Sequence, residues 1–550
     1  MPGVAAVALA LVSARPAPVR PAILFQEAAR AAGLDFVLEN SPTPRKHLIE
    51  TVPGGVAVFD YDGDGRLDVF FTNGAAIPSL EKDAPRDLNR LFRNEGGLRF
   101  RDVTAAAGLL GAGYGVGVAA ADYDNDGDVD LYVAGVHRQF LYRNTGGRFE
   151  DVTAAAGLAS GQWVVGGGFL DYDNDGWLDL LAVNYTVWTA GFDRFCGDAV
   201  RNIRVYCHPK WFPPIPLSLH RNRGDGRFED VTTRAGLAAH QGRGMAVAFA
   251  DYDRDGFVDV YVTNDKLPSF LFRNRGDGTF AENGLLAGVA LPEHGQDVSA
   301  MGADFRDYDN DGLPDLHVTA LAGESFPLYR NVGKGLFQDA THRARLAPLV
   351  ATRSGWGNGL FDFDNDGWKD LFTANSHVND EIERFEATRY RLTNSVFRGG
   401  GDGTFADVSD ESGLAAGEAR AHRGAAFGDL DQDGRLDVVV TALRAPAELW
   451  WNRSPRAGHW LAVRLVGTKS NRDGIGAVVQ ITSGADPRWR QQWNHMTTAV
   501  GYASASHGPV HFGTGTASIV DTVEVRWPSG AVQTLRDVKC DQVLTVTEPG

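Results

Sequence analysis

The chain has 550 residues, enough to bury a large core and to hold more than one domain. Its formal charge of −17 argues against nucleic acid and anionic membrane surfaces as partners. Glycine, at 66 of 550 residues or 12%, exceeds the usual level of about 7% and points to a turn-rich, all-β protein.

The N-terminus opens on an apolar run from Val4 to Val12, followed by Ser13 and Ala14. This looks like a signal-peptide core with a small-residue cleavage site, although the basic segment that usually precedes such a core is absent. The alternative is an Ala/Pro-rich leader, and residues 1–20 are set apart on either reading. No other stretch is apolar enough to span a membrane. The expected location is secreted, periplasmic or cell-surface.

From Asp60 onward one nine-residue motif occurs seven times, with Asp at positions one, three, five and nine and Gly at position six. Hard oxygen ligands at alternate positions, with a glycine for the sharp turn, suit Ca²⁺. The expected ligands are the four carboxylates and the position-seven backbone carbonyl. In the first loop these are Asp60, Asp62, Asp64, Arg66 and Asp68. In the second they are Asp122, Asp124, Asp126, Asp128 and Asp130; in the third, Asp171, Asp173, Asp175, Trp177 and Asp179. The fourth offers Asp251, Asp253, Asp255, Phe257 and Asp259, and the fifth Asp307, Asp309, Asp311, Leu313 and Asp315. The sixth offers Asp362, Asp364, Asp366, Trp368 and Asp370, and the seventh Asp429, Asp431, Asp433, Arg435 and Asp437. Apolar β-prone flanks, such as VAVF before the first loop and VFFT after it, place each loop at a hairpin tip rather than between EF-hand helices. Solvated Asp/Gly turns are the bland alternative. Seven times four gives 28 aspartates, and about seven bound Ca²⁺ ions would bring −17 to about −3.

The loops recur at a mean spacing of (429 − 60)/6, about 61 residues. After each comes a β-like run, then LFRN, LYRN or a variant ending at Asn94, Asn144, Asn222, Asn274, Asn331, Gly399 or Asn452. In the first six units a Gly-rich turn leads to a Phe, at 100, 149, 228, 280, 337 and 405, usually followed by DVT-like and AGL-like segments. Each unit therefore reads as four short strands, and seven such units predict a seven-bladed β-propeller over residues 21–454. The last unit lacks its fourth strand. Phe25 with Ala32-Gly33-Leu34 supplies the missing pattern at the other end of the chain, so the N-terminal segment is expected to close the last blade.

Strand direction puts the Asp loops and Gly turns on one face and the long insertions on the other: 74–89, 184–218 and 375–394. Long loops gathered on one face of a rigid ring are where a binding site is expected. The second insertion is aromatic, with Trp188, Phe192, Tyr206, Trp211 and Phe212, and it carries Cys196 and Cys207. In an exported protein these two form a disulfide and Cys540 stays a buried thiol. Candidate acid–base groups near this face are His240, Arg243, His294, Asp297, His377, His422 and Arg423. No GxSxG or HExxH motif accompanies them.

From Gly458 the Asp loops stop, and alternating runs separated by turn signals read as a β domain of roughly 90 residues, over 455–550. The DxDxDG units resemble FG-GAP/VCBS repeats, the class found in integrin α-subunit propellers. The tail resembles the ASPIC/UnbV domain through SNRDGIGA at 470–477, HFGTG at 511–515, VDTVEVRWPSG at 520–530 and DQVLTVTE at 541–548. Both together resemble a bacterial relative of the cartilage acidic protein family. Ser504-Ala505-Ser506 departs from that pattern, where relatives tend to have a longer Gln/Ser stretch, and no EGF-like segment is visible. The resemblance implies a calcium-stabilised extracellular propeller. The function expected from it is a secreted, monomeric interaction module for an extracellular protein or glycan. The alternatives are an enzyme of secondary metabolism or carbohydrate modification using the insertion face, and a structural cell-surface component.

Overall fold

The computed structural model describes residues 23–455, 458–486 and 489–550; the signal-like leader lies outside them. Seven four-stranded antiparallel units make up the propeller. Blade 1 runs from its inner strand Val56–Phe59 through Asp68–Phe71 and Arg90–Asn94 to its outer strand Phe100–Asp102. Blades 2 to 6 repeat this order, with inner strands Tyr114–Ala121, Val164–Leu170, Gly244–Ala250, Ala303–Arg306 and Gly355–Phe361. Each inner strand neighbours the next, and that of blade 7, His422–Gly428, neighbours that of blade 1.

The fourth strand of blade 7 is Phe25–Glu27. Phe25 pairs with Asn452 in the register that Phe100 keeps with Asn94 and Phe149 with Asn144. It also copies the contact between blades. The Phe25 N–H donates to Ser412 O at 2.7 Å, as the Phe228 and Phe280 N–H groups donate to Ala156 O and Ala235 O, both at 2.9 Å. The left-handed backbone of the AGL segments favours glycine here, although blade 5 has Arg345 (φ +62°) at this place. Gly413 has φ +89°, and a Cβ on it would lie 2.8 Å from Phe25 O; Gly33 (φ +85°) stands in the same relation to Phe100 O.

Two rings of hydrogen bonds tie blade to blade. In six blades the Asn of the third strand donates from Nδ2 both to its own loop and to the loop of the preceding blade. Asn144 reaches Tyr61 O at 2.8 Å, Asn222 reaches Tyr123 O at 2.8 Å, and Asn94 closes the circle on Leu430 O at 2.8 Å. In blade 6 that position is Gly399, where a Cβ would lie only 2.2 Å from Lys369 O. The second ring runs along the Asp loops. The position-four side chain, on a left-handed backbone, donates to the position-six carbonyl of the next loop: Asn125 to Gly176, Asn174 to Gly256, Asn310 to Gly367, Asn365 to Gly434 and Gln432 to Gly65. Arg254 makes the same link to Gly312. Loop 1 has Gly63 there and makes no side-chain link.

The C-terminal region has two sheets of its own. One orders Val510–Gly515, His459–Val466 and Gln542–Thr547; the other orders Gln491–His495, Val478–Thr482, Ile519–Arg526 and Val532–Lys539. It is not self-contained. A hairpin, Ala499–Val500 and Ser504–Ser506, leaves it and pairs in parallel with the inner strand of blade 1, Ala57 to Ala505 and Val58 to Ser506. This hairpin fills the propeller axis. It bonds to Val118 N, Ala303 O and Phe427 N, and it packs against Gly168 and Asn358. Only small residues fit: a Cβ at Gly117 would lie 3.2 Å from Ala503 Cβ, and one at Gly168 3.1 Å from Ala499 Cβ. Tyr502 at the tip reaches the insertion face, donating to Val52 O at 2.8 Å and meeting Trp356 edge-on at 4.9 Å.

Because Phe25–Glu27 covers an otherwise open edge, removing the chain through Leu34 exposes the Glu448–Asn452 strand and empties the sites of buried Ile23, Phe25 and Leu34. The expected result is a loss on the order of 5 kcal/mol or more and aggregation. Urea unfolding and light scattering check it. Unchanged stability would remove the closure.

Candidate functional site

The Asp loops share one internal wiring. The position-one carboxylate accepts from the backbone N–H groups of positions five and six, as Asp60 does from Asp64 at 3.1 Å and Gly65 at 2.8 Å. The position-five carboxylate accepts the N–H of position seven, as Asp64 does from Arg66 at 3.0 Å. The position-nine carboxylate accepts from position two of its loop and from the third strand. Asp68 takes Tyr61 N at 3.1 Å and Asn94 N at 2.7 Å, and Asp437 takes Leu430 N at 3.0 Å and Asn452 N at 2.7 Å. Position nine thus builds the loop as well as facing the cage.

Position three differs. In every loop one of its oxygens is buried without a hydrogen-bond partner: Oδ1 of Asp62, Asp124, Asp173, Asp253, Asp309, Asp364 and Asp431. One carboxylate oxygen from each of Asp60, Asp62 and Asp68 lies within 4.8 Å of the other two. The same holds for Asp122, Asp124 and Asp130, for Asp171, Asp173 and Asp179, for Asp251, Asp253 and Asp255, and for Asp307, Asp309 and Asp311. A buried anionic oxygen with no donor, at a convergence of hard oxygens, is a ligand position for a cation. These clusters can hold metal ions.

The third-strand arginine, part of the LYRN signature, has a role that the motif alone did not reveal. Arg93 bonds Asp62 at 2.6 Å and Asp64 at 3.0 Å, and Arg221 bonds Asp173 and Asp175, both at 2.7 Å. Arg273 and Arg330 do the same in loops 4 and 5, and Arg398 pairs with Asp364 and Asp366 in loop 6. The guanidinium fork aligns positions three and five from outside the cage. In blade 2, Arg143 turns to Glu150; in blade 7, Trp451 Nε1 donates to Asp431 at 2.8 Å.

The C-terminal sheets sit on this face. Asp473 accepts the Asp122 N–H at 2.8 Å and pairs with His507 at 3.1 Å, while Asn125 accepts from Arg472 N. Trp493, Trp489 and Trp460 lie on Gly312, Gly367 and Gly434, where a Cβ would come within 3 Å of each indole. Loop 6 is the most enclosed, with Asp362, Asp364, Asp366 and Asp370 all buried.

On the opposite face the insertions pack around Trp188, which meets His47 edge-on and His137 face-on. Tyr206 donates to Glu50 at 3.1 Å. Cys196 and Cys207 are bonded, with Cα atoms 5.3 Å apart, and Cys540 is free and buried. A cavity of about 260 Å³ remains, lined by Tyr206, His208, Asp265, His377 and Asn379 among others. Of the acid–base candidates only His377 lines it; its Nδ1 accepts the Asn379 N–H, and burial pushes its pKa down to about 4. His422 and Arg423 are fully buried in the inner strand of blade 7. His422 pairs with Glu448 at 3.1 Å, and Arg423 donates to Thr51 O and lies 3.9 Å over Trp356. Arg243 is buried and donates to Phe212 O, while His240 stands edge-on to Phe270 and Phe272. His294 and Asp297 are exposed on a separate loop. The seven groups do not converge on one point.

Seven four-stranded blades, an acidic hairpin loop on each and a C-terminal hairpin along the axis define an Asp-loop β-propeller. The chain belongs to the FG-GAP-like repeat family, which matches residues 60–133, 125–182, 216–262, 307–373 and 362–440, and it ends in an ASPIC and UnbV segment over 467–550. It is 28% identical to cartilage acidic protein 1 of Homo sapiens over 344 residues, covering 60% of this chain and 48% of that protein. With the Mus musculus protein it shares 27% identity over 345 residues, 60% and 49% of the two chains. The chain therefore spans about half the length of the curated relatives it matches. Among solved structures it is similar to YCF48 bound to D1 peptide, with a TM-score of 0.41, 9% identity and coverage of 80% of this chain and 98% of that one. It is also similar to an Agrocybe aegerita lectin recognising non-reducing terminal N-acetylglucosamine, with a TM-score of 0.38, 16% identity and coverage of 78% and 93%.

Burial, with the neighbouring carboxylates adding to it, raises the position-one groups from 3.8, Asp251 to about 6 and Asp171 and Asp429 to about 7. Without a cation the folded state therefore binds protons more tightly than the unfolded chain. Its stability must fall as pH rises from about 4 to about 8. Urea midpoints measured at intervals across that window, in a pH-insensitive chelator, should drop with pH, and saturating divalent cation should flatten the curve. A chelated midpoint that rises with pH would contradict the charge-crowded cage.

Proposed function

We propose that the protein is a secreted, calcium-loaded propeller that acts as a monomeric interaction module and engages an extracellular protein or glycan through its insertion face. The assignment of calcium rests on the chemistry of the donors: hard carboxylate oxygens, no imidazole or thiolate, and a glycine-turned loop. Position three of each loop would hold the ion, with positions one, five and nine and the position-seven carbonyl completing the set. The ion would neutralise the cage and so lock the hairpin tips that the two inter-blade rings connect.

The observation that carries the interaction reading is on the insertion face. Val200 is 97% exposed there, and Phe195, Trp211 and Phe385 are each more than 40% exposed. Arg194 stacks 3.6 Å over Trp211, and Arg204 lies 5.7 Å from the centre of the Phe195 ring. Exposed aromatics with arginine among them are the composition of interface centres. The disulfide and the Arg204–Asp193 pair brace the segment that carries Phe195 and Val200, next to Trp211, which lowers the ordering cost of binding.

Metal analysis, thermal stability and ligand binding check the proposal. Elemental analysis after dialysis against calcium should find about seven ions per chain, and Asp62→Ala should remove one. Chelation should lower the melting temperature, since the ion binds only the folded state. Absence of calcium would end that part of the reading. For the surface, a glycan array and cell-surface binding should show retention by the native chain and a loss of about tenfold or more in Trp211→Ala/Phe385→Ala. Native-like binding by that variant, with its fold intact, would place the interaction elsewhere.

A further inference from the structure

The three insertions differ in charge. Residues 74–89 carry two Arg/Lys against three Asp/Glu, and 375–394 carry three against four, so each is −1. Residues 184–218 carry four against two, Arg194, Arg201, Arg204 and Lys210 against Asp193 and Asp198, for a net +2. In a chain of −17 this is a local reversal of sign.

Both aspartates of that insertion are engaged. Asp193 pairs with Arg204 at 2.5 Å. Asp198 Oδ1 accepts the Val200 and Arg201 N–H groups at 2.9 and 3.0 Å, and its Oδ2 faces Arg201 Nε at 3.5 Å. The other two cations are not engaged in this way. Arg194 lies 3.6 Å and Lys210 5.4 Å from the centre of the same Trp211 ring. Both residues are exposed, and among the described residues neither side chain has a hydrogen bond or a carboxylate within 4 Å. Arg204 first, and exposed Arg45 after it, hold the Asp193 carboxyl below its usual range, so a further cation stands close by. The ring fixes where the two charges stand without using their donors. The N–H groups of a guanidinium over a ring lie clear of it, and a carboxylate or sulfate can take two of them at once.

We propose that this corner of the insertion face binds an acidic polysaccharide, whose carboxylate or sulfate groups meet Arg194 and Lys210 on Trp211. The proposal rests on the insertion face being the binding surface and narrows the partner. The apolar C–H faces of the sugar rings would lie along Phe195 and Val200, which the same segment exposes. The size of the patch favours a sugar chain over an acidic protein. A stable protein interface takes about 20–30 residues a side. Here the exposed aromatic and cationic groups come from one segment, 194–211. A charged sugar chain needs only a few such groups at a time, and its repeating units compensate for weak single contacts.

The test immobilises dextran sulfate, hyaluronan and neutral dextran and passes the full chain over each, in excess calcium and physiological salt. Binding to dextran sulfate or hyaluronan is expected, and none to dextran. Which acidic chain is bound separates sulfate from carboxylate recognition. Affinity should fall as salt rises. Arg194→Gln/Lys210→Gln, which keeps the Trp211 ring, should bind about tenfold or more weakly at an unchanged melting temperature. Arg389→Gln/Arg391→Gln removes the same charge from the third insertion and should bind as the native chain does. The proposal is overturned if neither acidic chain binds, if dextran binds equally, or if the two variants behave alike. Should a neutral glycan or a protein be bound through Trp211 and Phe385 instead, this inference fails and the insertion-face reading stands. Acidic-chain binding that also survives Trp211→Ala/Phe385→Ala would count against both.

Discussion

In each loop the carboxylate at position one accepts two N–H groups of its own turn, and the one at position nine accepts one from position two and one from the third strand. The turn cannot take its shape without its charges. Those same charges repel one another across a few ångströms, in surroundings partly stripped of water, where the repulsion is only weakly screened. The position-three oxygen, left without a donor in all seven loops, marks where the conflict is resolved. Arginines such as Arg93 and Arg221 set positive charge against the loops from outside.

What one loop does, the next one feels. Position four of a loop holds the position-six carbonyl of its neighbour, and the third-strand Asn of one blade holds position two of the loop before it. Loosening one cage therefore frees two hydrogen bonds outside it. The C-terminal sheets rest on the same glycines and carbonyls: His511 bonds Gly434 O, and Trp489 covers Gly367. The axial hairpin is thus anchored through the loops at one end and through Tyr502 at the other.

The parts of this arrangement that were legible in the sequence are those with a repeating period. Seven identical Asp frames gave away the hairpin tips, and the spacing of Phe25 to Ala32-Gly33-Leu34 was enough to place a strand across more than 400 residues, because it copied six other strands. The hairpin was not legible. Residues 499–506 read AVGYASAS, too short and too small-sided to show strand alternation, and their partner at 57–58 lies far away in the chain. Ser504-Ala505-Ser506 is one strand of this hairpin, and the tightness there shows only against the ring: a Cβ on Gly424 would lie 2.5 Å from Ser504 Oγ. Similarly, His422 reads as a loop-edge candidate for chemistry until Glu448 is seen two strands away, where the pair is part of the core.

The two faces consequently carry different obligations. On the loop face many polar groups are committed to a cage, a neighbouring blade or the C-terminal sheets, and the carboxylates of loop 6 are all buried. A macromolecular partner there would have to displace a packed domain, together with the hairpin that fills the axis. On the insertion face Tyr502 and Trp356 meet at the ring, and Trp188 and Phe212 of the insertions are buried with them, while Trp211, Phe195 and Val200 stay at the surface. Trp211, Phe195 and Val200 can meet a partner without unmaking anything beneath them. Exposed side chains on a rigidly mounted loop are where recognition can be built at least cost to the fold.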